Sequence, residues 1–267
     1  MSDIKAVLCI DLDGTLVDSE QRVHPADIKL LENIPNHIQP ILTTGRILHS
    51  ARRVLQENGL FQSYRFPLPG VFMNGGTAYL PDENLCTQHT FSPHTRETLL
   101  YLAHKYWQTS FTFFSLEVVY LVNANHLGRH ISRLHYLASR ESATSELPSD
   151  IVKVMILDQD VEKLETIKRD IQDLDAEMAY SLSYAFEINP PGITKAGTLI
   201  TLLKTMQMQA LPVFVAGDAE NDLSLFNIAK LSFVPDTANS AVQTHADHII
   251  QYKKSGLLSP ILEHIDL

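Results

Sequence analysis

The chain has 267 residues, 45% of them hydrophobic and 19% charged, with a formal net charge of −10. That length favours two modest domains, and that composition describes packed globular protein and excludes a disordered tail as the main feature. The acid excess argues against sequence-independent nucleic-acid binding, which needs basic patches, but a locally positive site can still take a small anion.

Ala6 to Ile10 is a short apolar run that reads as a buried strand, with Cys9 a small core residue inside it. It leads into Asp11-Leu12-Asp13-Gly14-Thr15-Leu16. Strand side chains alternate, so Asp11 and Asp13 lean one way while Leu12 points back into protein. Two carboxylates that close repel unless a cation neutralises one or a proton sits on the other. A structural turn rarely accepts that cost, whereas a metal-assisted site with one nucleophilic and one protonated carboxyl uses it.

Ile28, Leu31 and Ile34 mark a helix starting near Pro25, a favoured first-turn residue. Ile38 to Thr43 reads as a second strand. Ile47, Ala51, Val54 and Leu55 trace the apolar face of a helix that Asn58-Gly59 stops. Gly70 to Met73 resembles a third strand, and Asn74-Gly75-Gly76 is a turn signal.

The middle behaves differently. Phe111–Phe114 and Glu117–Val122 form an expected hairpin, and Phe111, Phe113 and Phe114 are expected in its core. Leu127, Ile131, Leu134 and Ala138 predict a helix, and Glu141 to Asp150 a polar exposed loop. Ile151–Leu157 is a strand, Val161, Leu164, Ile167 and Ile171 a helix stripe, and Glu177–Ser183 and Ala185–Ile188 two more strands. His126 and His130 stand four apart, a spacing that can bind metal, but no third ligand accompanies them and they read as surface histidines.

Alternation then resumes. Thr194 is a good N-cap for a helix carrying Leu199, Leu202, Leu203 and Met206. Leu211–Ala216 is a strand apolar on both faces, a helix begins near Glu220, and strands follow at Leu231–Val234 and His248–Gln251. The whole predicts an α/β protein: a Rossmann-like, doubly wound parallel sheet core in residues 1–78 and 188–267, with an α+β module inserted at 79–187. Two cysteines, Cys9 and Cys86, give neither a disulfide framework nor a zinc spacing. With no leader pattern and no apolar run near the ~18 residues a bilayer span needs, the expectation is a cytoplasmic protein without membrane association, a monomer or small homo-oligomer.

Four segments lie just past predicted core strands, where open parallel sheets bind ligands: Asp11-Leu12-Asp13, Thr43-Thr44-Gly45-Arg46, Lys195 at its helix start, and Gly217-Asp218-Ala219-Glu220-Asn221-Asp222. Each alone has an ordinary explanation as a cap, a turn, a solvated Arg46 or a surface lysine. Their joint order at matched strand ends removes those explanations. With Asp13 protonated, the charges of Asp11, Asp218 and Asp222 balance Lys195 and one Mg²⁺ ion, whose preference for hard oxygen ligands and a substrate phosphate oxygen suits the set. The Thr44 hydroxyl, the Gly45 N–H and helix N-termini can hold the other phosphate oxygens.

At these residues the chain resembles the haloacid dehalogenase superfamily, and within it the Cof-type phosphatases with a large inserted cap domain. The resemblance implies Asp11 as nucleophile and Mg²⁺ ligand, and Asp13 as general acid/base with its backbone carbonyl on the metal. It implies phosphate and substrate binding by Leu12, Thr44, Gly45, Arg46, Lys195 and Asn221. It places Asp218 directly on Mg²⁺ and gives Asp222 the orientation of its waters. The expected activity is Mg²⁺-dependent hydrolysis of small phosphorylated metabolites, of sugar phosphate or nucleotide type, through an aspartyl-phosphate, with the cap choosing the leaving group. Arg46, Asn74 and Gly75 are rim candidates for that choice. A phosphomutase is the nearest alternative, and a non-catalytic ligand-binding protein a more distant one.

Overall fold

The computed structural model describes residues 4–265, with the side chains at 181 and 182 outside the description. Among the described residues no helix is long and apolar enough to cross a membrane. The chain divides into two compact units, one running to Thr87 and resuming at Lys195, the other spanning Gln88–Thr194.

The first unit opens with β1 (Ala6–Ile10), α1 (Pro25–Leu31), β2 (Ile38–Thr43), α2 (Leu48–Glu57) and β3 (Gly70–Phe72). Helix α1 closes before Ile34: Glu32 is its C-cap, and Ile34 packs on the core from beyond the helix. Asn58 caps α2 and Gly59 takes φ +82, the left-handed end that the Asn-Gly pair predicted. A single 3₁₀ turn at Met73–Gly75 then reverses the chain into β4 (Thr77–Leu80) and β5 (Asn84–Gln88). These two strands continue the first sheet past β3, so the division between units falls after Thr87 rather than at 79.

The second unit comprises α3 (Pro93–Lys105), β6 (Ser110–Phe114), β7 (Val119–Val122), α4 (His126–Leu134), β8 (Ser139–Glu141), β9 (Lys153–Leu157), α5 (Val161–Asp170), β10 (Glu177–Leu182) and β11 (Ala185–Asn189). Its sheet has the order β10-β11-β9-β6-β7-β8 among the described residues, antiparallel except for β7 and β8. Phe111 and Phe113 of β6 join Leu99 and Leu102 of α3 and Leu164 and Ile167 of α5 in one core. Phe114, on the opposite face, lies under the Lys153 ammonium, 4.6 Å from its ring centre. Helix α4 stops at Leu134, short of Ala138, because Tyr136 takes φ +51 and breaks the helical path.

The chain re-enters the first unit with α6 (Lys195–Thr205), β12 (Val213–Ala216), α7 (Leu223–Phe226), β13 (Leu231–Pro235), α8 (Ser240–Gln243), β14 (His248–Ile250), α9 (Tyr252–Ser255) and α10 (Leu258–His264). The expected helix at Glu220 is one 3₁₀ turn, Glu220–Asp222, leading into the single turn of α7. The sheet order is β14-β13-β12-β1-β2-β3-β4-β5 among the described residues. From β14 to β3 all pairs are parallel, and β4 returns antiparallel to β3.

Both faces of this sheet are covered. Ala6, Leu8 and Ile10 of β1 pack with Val54 of α2 and Ile261 of α10, while Val7 and Cys9 pack with Leu199 and Leu202 of α6. That two-sided burial is why the strands lack polar alternation. Each fully buried Leu or Ile contributes roughly 1.5–3 kcal/mol. From β1 the chain moves outward through β2 and β3 on one side, then returns to fill β12, β13 and β14 on the other. The reversal at β1 and β12 leaves a crevice at their carboxyl ends, where ligands bind in open α/β sheets.

Two ties fasten the end of the described chain to α1 and to the loop after β1. The buried Asp27 carboxylate accepts from the backbone N–H groups of Leu257 (2.8 Å) and Leu258 (2.8 Å). The Tyr252 hydroxyl donates to the Leu16 carbonyl at 3.1 Å.

Candidate active site

Asp11 is the first residue beyond β1, and its N–H donates to the Ala216 carbonyl at the end of β12 (2.9 Å). This bond joins the two strand ends at the reversal point. Lys195, the first residue of α6, is 1% exposed and donates from Nζ to Asp11 Oδ1 and to Asp222 Oδ1, both at 2.7 Å. The other oxygen of Asp222 accepts from the N–H groups of Asp218 (3.0 Å) and Ala219 (3.2 Å). Asp222 is fully buried, with both oxygens committed. It positions the ammonium and the loop after β12 rather than reaching outward.

Asp218 is tied from the other side. Thr15 Oγ1 donates to its Oδ1 at 3.0 Å. Gly14 holds φ +80, and a Cβ there would fall 2.1 Å from Asp218 Oδ2. Only glycine both takes this backbone and leaves that oxygen room. Oxygens of Asp11, Asp218 and Asp222 lie within 4.8 Å of one another.

Arg46 is not the solvated cation that its sequence position allowed. It is 4% exposed and forks onto Asp13, with Nε 2.7 Å from Oδ2 and Nη2 on Oδ1. Its remaining N–H groups reach Gln21 Oε1 and Ser50 Oγ. A two-pronged guanidinium contact suits the carboxylate form of Asp13. The charge balance therefore differs from one with Asp13 protonated: four carboxylates, of Asp11, Asp13, Asp218 and Asp222, meet two cations, Arg46 and Lys195. The negative excess still matches one divalent cation.

Thr44 is fully buried, and its Oγ1 accepts the N–H of Arg46 at 3.1 Å, which leaves the hydroxyl proton able to donate to a ligand. Gly45 follows it, half-buried. The Leu12 side chain belongs to the core, so this residue can offer a ligand only its backbone. The turn after β3 is built into the same region: the Asn74 N–H donates to the Thr44 carbonyl (3.2 Å), and Thr198 Oγ1 donates to the Gly75 carbonyl (2.7 Å). Asn221 Nδ2 donates to Asn74 Oδ1 at 3.0 Å, while Asn221 Oδ1 is buried with no hydrogen-bond partner. His126 and His130 belong to the second unit, exposed on α4 with their rings stacked.

The electrostatics follow from crowding acids around one ammonium. Burial pushes the Asp11 carboxyl well above the ordinary carboxylate range; Lys195 opposes this, while Asp222 and Asp218 add to it. Burial, then the charge of Asp222, push Asp218 up to about 7. Burial alone would lower the Lys195 ammonium, but Asp11 and Asp222 outweigh it and hold that pKa above the ordinary value. A divalent cation beside Asp11 and Asp218 would relieve both carboxylates. The donor set fits one: every available atom is a hard oxygen, the missing Gly14 side chain leaves Asp218 Oδ2 accessible, and Asn221 Oδ1 is an unsatisfied acceptor.

Several of these partners carried no sequence signal of their own. Thr15 stood within the Asp-rich run, but Gln21 and Ser50 are unremarkable until the fold brings them to Arg46.

Comparison with known proteins places this geometry. A chloroplastic endoribonuclease YBEY of Arabidopsis thaliana is 26% identical over 249 residues, 88% of this chain and 42% of that protein. The chain thus spans less than half the length of that relative. A phosphoglycolate phosphatase of Methanothermobacter thermautotrophicus is 23% identical over 243 residues, 91% of this chain and 90% of that protein. A haloacid dehalogenase-like hydrolase from Bacteroides thetaiotaomicron superposes with a TM-score of 0.81 at 20% identity, over 98% of this chain and 100% of that one. Residues 8–259 match the family of haloacid dehalogenase-like hydrolases, and the chain belongs to it.

Proposed function

We propose that the chain is a Mg²⁺-dependent phosphatase of small phosphorylated metabolites, working through an aspartyl-phosphate on Asp11. The observation that carries this is the buried Asp11–Lys195–Asp222 cluster with Asp218 beside it, acid-rich by the charge of one divalent cation. The phosphoglycolate phosphatase relative, aligned over nine-tenths of its length, points to the same reaction type. The cytoplasm is the compartment that fits a substrate of this kind.

Asp11 and Asp218 would hold the cation, with the Asp13 backbone carbonyl; Asp222 acts through Lys195 and the loop after β12. When bound, Mg²⁺ would supply positive charge to a phosphate oxygen. Lys195, the Thr44 hydroxyl and the Gly45 N–H bind the remaining phosphate oxygens. An oxygen of Asp11 attacks phosphorus, and the bond from phosphorus to the leaving oxygen breaks as Asp13 gives the leaving oxygen its proton. Water then attacks phosphorus, Asp13 takes its proton, and the Asp11–phosphorus bond breaks to release inorganic phosphate. The Arg46 fork presents Asp13 in the base form that the second step uses. The first step requires that fork to open and Asp13 to carry a proton.

Release of inorganic phosphate from small phosphate monoesters in the presence of Mg²⁺ tests the assignment. Asp11→Asn should lower turnover of p-nitrophenyl phosphate by at least about 10³-fold, as loss of a nucleophile does. Near-wild-type turnover in that variant refutes the role of Asp11. Isomerised sugar phosphate without free phosphate refutes hydrolysis.

A further inference from the structure

One stretch of the second unit concentrates positive charge. Residues 118–140 hold three arginines, three histidines and no acidic residue, in a chain whose net charge is −10. Within this stretch α4 runs beside β7 and β8, and a cavity of about 310 Å³ opens between them. Leu121, Arg129, Ser132, Arg133, Ser139 and Glu141 line it. That volume is at the small end of the ~300–1,000 Å³ typical of small-molecule sites.

The lining charges do not cancel. Arg129 is committed to Glu141 through two parallel hydrogen bonds, at 2.6 and 2.8 Å. The same contact holds the Glu141 carboxyl below its ordinary pKa, so it stays ionised at neutral pH and this pair is neutral overall. Among the described residues no carboxylate pairs with Arg133, one helical turn further along. One unbalanced guanidinium therefore faces the cavity.

Donors accompany it. The hydroxyls of Ser132 and Ser139 bond to each other, and Ser132 is 4% exposed. Two hydroxyls share one hydrogen bond and use one proton, so the second proton can go to a ligand oxygen. Leu121 supplies an apolar wall for the body of the ligand.

We infer that this cavity binds a small organic anion, a phosphate or carboxylate metabolite, with Arg133 on the anionic group and the Ser132–Ser139 pair donating to it. The site lies wholly within the second unit and does not depend on the catalytic proposal. Titration of the ¹⁵N-labelled full chain tests it, followed amide by amide, with inorganic phosphate and separately with pyruvate. Saturable shifts are expected at Ser132, Arg133 and Ser139. Arg133→Gln should weaken binding there about tenfold or more, the loss expected for a charge-assisted contact, and Arg133→Lys should lose less because the charge stays. Tighter binding of phosphate identifies a phosphoryl ligand, and tighter binding of pyruvate a carboxylate. Unchanged affinity in Arg133→Gln, or shifts that sodium chloride reproduces, overturns the site.

Discussion

Both units bury charge, and they do so in opposite ways. In the first, the carboxylates gather beyond the ends of β1 and β12 and outnumber the cations that meet them. In the second, Lys153 on β9 and Glu187 on β11 form a pair of opposite charges, with Nζ 3.2 Å from Oε1 and side chains 3% and 8% exposed. Lys153 also rests against the Phe114 ring. A balanced buried pair is complete as it stands. An unbalanced buried cluster raises its own pKa values and needs a ligand to settle it. The difference separates charge matched within the fold from charge left in excess.

That contrast can be broken at either end. Lys195→Met should give the largest stability loss, roughly 3–5 kcal/mol in urea unfolding, because it strands Asp11 and Asp222 in the interior. A loss under about 1 kcal/mol would mean that those acids are not ionised. In the second unit, Lys153→Met alone should cost a similar few kcal/mol, whereas Lys153→Met with Glu187→Leu should return close to the wild-type urea midpoint, since a buried pair is often replaceable by packed apolar groups. If the double variant stays as unstable as the single one, Lys153 and Glu187 hold more than each other.

The smallest effect is in pH. In the metal-free folded chain Asp218 sits at about 7, against 3.8 for an ordinary aspartate. The folded state then keeps its proton to higher pH than the unfolded state, so stability is greatest in acid and falls as pH rises through that interval. Asp11 is shifted in the same direction and adds to the trend. Thermal unfolding should show a falling midpoint between about pH 4 and 7, and Mg²⁺ should raise it more at pH 8 than at pH 5. A Mg²⁺-induced rise no larger at pH 8 than at pH 5 would show that the cluster carries no excess charge.

Much of this was legible in the sequence because the sequence repeats a physical pattern. The apolar runs of β1, β2 and β12 announce buried strands, and the polar residues one or two positions past them, Asp11, Thr44 and Asp218, mark the crevice. The missed elements lack that contrast. Strand β5 is largely exposed, so Leu85 and Cys86 stand without periodic neighbours. Helix α3 mixes its apolar residues around the axis, and only Ser92, which caps it, and Pro93 in the first turn mark its start. The burial of Arg46 could not be seen either. It depends on Asp13, 33 residues away, and on Gln21, 25 away. Local sequence cannot show which partner a long side chain meets across that distance. For α4, the hydrophobic stripe was right, but the left-handed turn at Tyr136 that ends it has no sequence marker of the Gly or Asn kind.

The tie from the Tyr252 hydroxyl to the Leu16 carbonyl spans 236 residues. Together with the β1–β12 pairing that sets Val7 against Val213, it dictates the order of assembly. During synthesis β1 finds its β12 neighbour only after the whole of Gln88–Thr194 has been made. The loop carrying Asp13 gains its last tether later still. The second unit, contiguous in sequence, is free to fold while β1 is still waiting for β12. The cluster of Asp11, Asp218 and Asp222 is thus completed late, although Asp11 is made long before the two acids it meets.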